Sequence, residues 1–86
     1  MILMMDYKQI FEKIQDTMRK VFKDQDMVIE ENMSARDIKQ WNSLSHVMII
    51  AELEKTYKIK FGLTDMLDIR TVDDICRKVL QLKAES

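Results

Sequence analysis

The chain has 86 residues, which is enough for one small domain, and we expect residues 1–86 to form it. Its single cysteine excludes an internal disulfide, and one cysteine with one histidine is a poor basis for a structural zinc site. Fifteen acidic and 14 basic residues give a net charge of −1, which argues against a nucleic-acid binder. No secretion signal or membrane span is recognisable, so we expect a cytoplasmic protein.

The composition favours helices, because proline is absent and glycine occurs only once. The first helix is predicted to begin after Asp6, which can form a capping box with Gln9. Met5 and Ile10 occupy the hydrophobic staple positions on either side of that box. An apolar stripe at helical spacing then predicts a helix that ends near residues 23–24.

A long connection is predicted over residues 24–41, where charged and apolar residues mix without a sustained period. Within it, Ser34–Lys39 could form a short turn of helix. Four apolar residues of this segment are spaced irregularly, and we expect each to enter the core separately. They are Met27, Ile29, Met33 and Ile38.

The second helix is predicted to begin at Asn42 or Ser43, because either residue can cap it. Its apolar band is wide, so we expect a central helix that is packed on more than one side. We expect Leu44, Val47 and Ala51 to form the inward stripe of its first turns.

The remaining elements are a short helix and a long one. Gly62 suits a turn, and Thr64–Asp68 is predicted as the short third helix. Thr71 and Asp74 match a second capping box, and a clean apolar period then predicts a last helix to about Lys83. The predicted fold class is therefore all-α, a small four-helix bundle of three longer helices and one short helix with a long first loop.

No catalytic set stands out in the sequence. His46 is the only histidine, so a nucleophile such as Ser43 or Ser45 would have to pair with it. Side chains on one short stretch of helix point outward and cannot enclose a substrate, so we expect no enzyme and an exposed His46. Cys76 lies on the apolar stripe of the last helix and is expected to be a small core residue rather than a reactive thiol.

The segment Trp41-Asn42-Ser43-Leu44 places a large anchor, a small polar residue, a hydroxyl and an expected core leucine where the long loop meets the second helix. A serine at this position can simply cap the helix, and spacing alone favours that role. It can also present its hydroxyl for attachment of a phosphate group, because negative charge is favoured beside a helix N-terminus.

The run Trp41–Met48 resembles the phosphopantetheine attachment motif of acyl carrier proteins, which is usually Asp-Ser-Leu and often preceded by tryptophan. The run Leu53–Phe61 is similar to the family's continuation, with leucine-glutamate, an aromatic residue and then alternating apolar positions. Ile69, Thr71-Val72 and Ile75 match its usual entry into the last helix. The resemblance covers essentially the whole chain.

The resemblance implies that Ser43 carries a covalent 4'-phosphopantetheine arm, whose thiol holds acyl cargo as a thioester. The implied partners are a phosphopantetheinyl transferase, an acyl-loading ligase or acyltransferase, and enzymes that process the cargo. They would recognise the surface around Ser43 and along the second helix, which assigns partner recognition to Asn42, Leu44, Met48 and Glu54. The carrier itself is expected to be a monomer without bond chemistry of its own.

The sequence departs from the family pattern in its charges. Asn42 stands where the family has aspartate, and Ser45, Met48 and Lys55 are neutral or reversed where carriers of fatty-acid synthesis often have acids. The second helix thus lacks the usual strongly acidic character. This difference favours a specialised carrier in a dedicated biosynthetic pathway, with a less electrostatic partner interface centred on Leu44 and Met48.

Three alternatives remain at this point. The chain could carry aminoacyl or peptidyl groups, or it could be a carrier-like interaction module that is never modified and uses Ser43 only as a cap. A helix-turn-helix DNA binder ranks last. Its recognition helix would present Arg77 and Lys78, but that helix begins with Asp73 and Asp74.

Overall fold

The computed structural model describes residues 6–85. They form four helices, α1 (Tyr7–Phe22), α2 (Ser43–Tyr57), α3 (Leu63–Asp68) and α4 (Val72–Glu85). The predicted all-α arrangement of three longer helices and one short helix, with a long first loop, is confirmed. The first helix packs against both α2 and α4. Within the described range, none of the helices is long and apolar enough to cross a membrane.

The predicted capping box starts α1. The Gln9 amide donates to Asp6 Oδ1 at 2.9 Å, and the Asp6 amide donates to Gln9 Oε1 at 3.3 Å. The helix ends at Lys23, which adopts the left-handed conformation of a C-terminal cap. Both predicted ends of this helix are therefore confirmed. The proposed staple residue Met5 lies outside the described residues.

The rotation of α2 about its axis differs from the prediction. Leu44, Val47 and Ala51 are exposed, so the expected inward stripe is wrong. The helix instead buries Ser45, whose hydroxyl donates to the Gln40 carbonyl at 2.8 Å. The opposite face of the apolar band packs toward the core. The buried residues of α2 are Ser45, Ile49, Ile50, Leu53 and Tyr57.

A single hydrophobic cluster joins the helices and the first loop. Two loop residues, Ile29 and Ile38, are buried in it, while Met27 and Met33 pack partly buried against it. This arrangement confirms that the irregularly spaced apolar residues of the loop enter the core separately. Their burial explains how a long connection without helices stays ordered in a domain of this size.

Ser34–Lys39 forms no continuous helix, but it contains a single hydrogen-bonded turn, as the sequence allowed. The Ser34 carbonyl accepts the amides of Asp37 and Ile38, which makes a turn. The turn is closed from the other side, because the Ser34 amide donates to Asp37 Oδ2 at 3.0 Å. Ser34 also forms an isolated antiparallel bridge with Thr71. Beside that bridge, the Val72 amide donates to the Met33 carbonyl at 3.0 Å.

The second predicted capping box starts α4. The Asp74 amide donates to Thr71 Oγ1, and the Thr71 amide donates to Asp74 Oδ2, both at 3.1 Å. The helix continues to Glu85, two residues beyond the predicted end. Cys76 is fully buried on its inner face, as predicted, and burial raises the pKa of its thiol to about 11. A thiol with so high a pKa is a poor nucleophile at neutral pH.

A polar cluster ties α1 to α4 and to the first loop. The Tyr7 hydroxyl donates to Asp73 Oδ1 at 2.5 Å, and Arg77 Nε donates to Asp73 Oδ2 at 2.7 Å. The Asp73 amide donates to the Glu31 carbonyl at 2.8 Å. The hydrogen bond from Tyr7, with a contribution from Arg77, holds the pKa of Asp73 below its usual range. Asp73 therefore stays ionised and connects three segments of the chain.

None of the six residues of α3 is fully buried, in contrast to the other three helices. Polar contacts contribute to holding it in place. The Gly62 amide donates to Asp65 Oδ2 at 2.8 Å, and Lys78 of α4 pairs with Asp65 Oδ1 at 3.1 Å. The Gly62 hydrogen bond and the pairing with Lys78 lower the pKa of Asp65. Buried side chains stand only at its two ends, at Phe61 and Ile69.

Candidate attachment site and adjoining groove

Ser43 is the first residue of α2 and is exposed. It does not cap the helix. Asn42 does, because its Oδ1 accepts the Ser45 amide at 3.0 Å while the Asn42 amide donates to Ser45 Oγ at 2.8 Å. The Ser43 hydroxyl makes no hydrogen bond to any other residue of the range 6–85. It is therefore available for chemistry without cost to the helix cap.

The position of Ser43 favours a negatively charged substituent. The first amides of a helix have no partner within it, and the helix dipole places partial positive charge there. The first turn of α2 contains no acidic residue that would oppose an anion. A phosphate ester on Ser43 would lie beside these amides, in an arrangement that proteins commonly use to bind phosphate.

Trp41 and His46 form a linked pair beneath this serine. Trp41 is only 5% exposed, and its indole N–H donates to His46 Nδ1 at 3.0 Å. The two rings stack with centroids 6.0 Å apart. Because Nδ1 is an acceptor, Nε2 carries the ring proton and donates to the Met66 carbonyl at 3.2 Å.

This pair corrects the prediction for His46, which was expected to be an exposed helix residue. It is partly buried, and both of its ring nitrogens are engaged. Through it the start of α2 is fixed to the buried indole on one side and to the backbone of α3 on the other. The pair thus sets the spacing between α2 and α3 at the point where Ser43 emerges.

An open, mostly apolar groove of about 740 Å³ adjoins Ser43, and we call it the α2–α3 groove. Its walls include Ser43, His46 and Val47 of α2 and Leu63, Met66 and Leu67 of α3. Segments 34–36 and 69–70 close its remaining side. Its volume lies in the range of small-molecule sites. The exposed hydroxyl, the helix amides and the adjoining apolar groove together fit a phosphorylated pantetheine chain.

The residues predicted to contact partners lie at two separate places. Leu44 and Met48 are 71% and 45% exposed and flank Ser43 together with exposed Asn42. Leu44 was expected in the core, and its exposure corrects that expectation, whereas the predicted exposure of Met48 is confirmed. Glu54 lies toward the other end of α2, where its Oε2 accepts the Phe61 amide at 2.9 Å. Its role in partner recognition stays a prediction.

A metal centre is another kind of site that polar side chains could form. No cluster of three or more His, Cys, Asp or Glu side chains within that range could hold a metal ion. The acids of α2 are both engaged within the protein, because Glu52 pairs with Lys20 at 3.0 Å and Glu54 binds backbone. The exposed surface of α2 beside Ser43 is therefore formed by Leu44, Val47 and Met48 rather than by acidic side chains.

Residues 12–79 match the family model described as a phosphopantetheine attachment site. The chain belongs to this phosphopantetheine-binding family of acyl carrier proteins, whose cofactor is a covalently attached phosphopantetheine. The resemblance to acyl carrier proteins seen in the sequence is thereby confirmed.

Two solved structures agree with this assignment. The NMR structure of a holo acyl carrier protein from Geobacter metallireducens is similar with a TM-score of 0.81 and 36% identity, covering 88% of this chain and 87% of that chain. A candidate acyl carrier protein from Mycobacterium tuberculosis gives a TM-score of 0.74 and 28% identity, covering 81% of this chain and 93% of that chain. No curated protein matches the sequence.

Changing Asn42 to aspartate is expected to speed attachment by a transferase adapted to the family's Asp-Ser-Leu motif. Aspartate keeps the side-chain oxygen that accepts the Ser45 amide, so the cap survives while a charge is added next to Ser43. A charge-assisted contact at a partly screened site contributes roughly 1 kcal/mol, which corresponds to a several-fold faster rate. Initial rates of coenzyme A consumption measure it, and an equal or slower rate for Asn42→Asp contradicts it.

Proposed function

We propose that this chain, as a single domain, carries a carboxylic-acid cargo as a thioester on a phosphopantetheine arm attached to Ser43. The arm supplies the thiol, and the protein supplies the attachment hydroxyl, the groove beside it and the surface that enzymes recognise. The chain performs no bond chemistry of its own. The separate enzymes would be a phosphopantetheinyl transferase, a loading ligase or acyltransferase, and enzymes that process the cargo.

One observation carries this proposal. The Ser43 hydroxyl is exposed and makes no hydrogen bond within residues 6–85, at the first position of α2 directly after the capping residue Asn42. Asn42 and Ser45 satisfy the cap instead. A hydroxyl that is left out of the cap, beside the free amides of α2 and at the edge of the α2–α3 groove, is suited to carry a substituent.

The surface around Ser43 supports a specialised pathway. Leu44, Val47 and Met48 are exposed on the first turns of α2, and both acids of that helix are engaged elsewhere. A partner would therefore bind mainly through apolar contact, rather than by matching a basic surface to an acidic helix. We infer that the partner enzymes are dedicated to this carrier, because neither the acidic helix nor the aspartate at position 42 is available to general ones.

The decisive experiment incubates the purified chain with coenzyme A, magnesium and a broad-specificity transferase. We expect the intact mass to rise by one phosphopantetheine, and fragmentation of the modified peptide to place it on Ser43 rather than on Ser45. A chain that remains unmodified would support the alternative of an unmodified interaction module. A group found on another serine would contradict the assignment of Ser43.

The exposed methionine on α2 is expected to serve partner binding. Met48 is flexible and polarisable, so it can adapt to an apolar partner surface. Met48→Glu should change the unfolding free energy by no more than about 0.5 kcal/mol, as surface substitutions do. It should nevertheless slow transfer of cargo to or from the native partner enzyme, measured with the loaded carrier.

Thr56→Glu is the matched control for that variant, because Thr56 is exposed on the same helix but lies near its other end. It introduces the same charge away from Ser43 and should leave transfer unchanged. Equal transfer rates for wild type and Met48→Glu would remove Met48 from the interface. Equal slowing by both variants would point to a general effect of charge on α2.

A further inference from the structure

Two arginines line the α2–α3 groove. The antiparallel bridge between Ser34 and Thr71 places residue 35 opposite residue 70, so Arg36 and Arg70 lie on neighbouring backbone segments. The fold thus brings together two cations that are far apart in the sequence, at the site that adjoins Ser43.

The backbones of both arginines are fixed by hydrogen bonds. The Arg36 amide donates to Ser34 Oγ at 3.2 Å, and the Arg70 amide donates to Asp74 Oδ2 at 3.0 Å. Asp74 is itself part of the box that caps α4. The backbone positions from which the two side chains extend are therefore held at the groove.

The guanidinium groups of this pair are unlike the other two in the protein. Arg19 donates to the Met27 carbonyl, and Arg77 pairs with Asp73. By contrast, the side chains of Arg36 and Arg70 make no hydrogen bond or ion pair with another residue of the range 6–85. No acidic side chain lines the groove either. The groove therefore has two positive charges and no internal anion to match them.

We propose that Arg36 and Arg70 bind a free carboxylate at the far end of the cargo, so that the cargo is a dicarboxylic acid held as its half-thioester. This inference rests on the proposed function of Ser43. Guanidinium groups bind carboxylates through paired hydrogen bonds. The apolar wall of Val47, Leu63 and Leu67 would accept the carbon chain between the two acid groups.

The arm's own phosphate is the other oxyanion that could reach these arginines. A phosphate on Ser43 already has the free amides at the start of α2, so it does not require the arginines. The two sources differ in a measurable way, because the phosphate is present whether or not cargo is loaded. A carboxylate is present only with a dicarboxylic cargo.

The test compares three forms of the full chain, made by loading it with coenzyme A, hexanoyl coenzyme A or adipoyl coenzyme A through a broad-specificity transferase. Hexanoyl and adipoyl groups have equal carbon number and differ by the terminal carboxylate. The readout is the NMR resonance of each arginine Nε–H. We expect Arg36 and Arg70 to shift only in the adipoyl form, while Arg19 and Arg77 stay unchanged as internal references.

In the wild type, the carboxylate contact should also give the adipoyl form a higher thermal midpoint than the hexanoyl form. The double variant Arg36→Gln, Arg70→Gln should fold normally and show equal midpoints for the two forms. Arg77→Gln keeps both groove arginines and should retain the wild-type difference. Shifts that already appear in the form without cargo would assign the pair to the phosphate, and shifts in no form would remove the site, so either overturns the inference. Failure of every form to load at Ser43 would instead contradict the proposed function.

Discussion

Replacing Ser43 by alanine is expected to abolish attachment of phosphopantetheine completely. The hydroxyl is the attacking group in the transfer, and alanine offers none. The fold should be unaffected, because the Ser43 hydroxyl makes no hydrogen bond within residues 6–85 and alanine is a good helix former. Intact mass spectrometry after exhaustive incubation measures the loss, and urea unfolding should give a stability within about 0.5 kcal/mol of wild type.

Ser45→Ala is the reciprocal control for Ser43→Ala. Ser45 lies two residues away but is buried, and its hydroxyl bonds the Asn42 amide and the Gln40 carbonyl. Its loss should cost about 1 kcal/mol of stability, as for other capping residues, while one phosphopantetheine is still attached. The pair of variants thus separates attachment from capping. Modification of Ser43→Ala at wild-type yield would show that the attachment residue lies elsewhere.

Trp41→Ala is expected to cause the largest loss of stability among the variants considered. The indole is buried between the first loop and α2, and truncating such a side chain costs about 3–5 kcal/mol. Domains of this size have free energies of unfolding near the lower end of about 5–15 kcal/mol. We therefore expect Trp41→Ala to be largely unfolded or to melt far below wild type in circular dichroism.

Trp41→Phe isolates the hydrogen bond from the packing. Phenylalanine keeps much of the buried volume but has no N–H, so His46 Nδ1 loses its donor. An unsatisfied, partly buried acceptor costs about 1–3 kcal/mol, which a small fold can survive. If the alanine and phenylalanine variants lost equal stability, the hydrogen bond to His46, rather than the packing of the indole, would account for the role of Trp41.

The capping boxes and the ends of α1 could be predicted, because each depends on residues a few positions apart. Asp6 with Gln9 and Thr71 with Asp74 form the expected pairs of hydrogen bonds. The exposure of Met48 agrees with its predicted place in a partner interface. The predicted inward stripe does not agree with the structure, because Leu44, Val47 and Ala51 lie on the exposed side of α2.

The features that could not be predicted depend on contacts between distant segments. The orientation of α2 is one of these features, because an apolar band on several sides of a helix does not specify which side packs against the other helices. The hydrogen bond from His46 to the Met66 carbonyl could not be predicted, because no local sequence pattern shows that α3 lies beside the start of α2. Arg36 and Arg70 become neighbours only through the bridge between Ser34 and Thr71.

The way in which α3 is held has a consequence for the opening of the domain. None of the residues of this helix is fully buried, and it is held by the partly buried Met66 side chain, the His46 bond to the Met66 carbonyl and the Lys78 pair with Asp65. Polar links of this kind contribute on the order of 1 kcal/mol each, far less than the core does. Segments held so weakly open locally while the rest stays folded. α3 is therefore expected to open before α1, α2 and α4 do, and hydrogen exchange should show its amides as the least protected of the four helices.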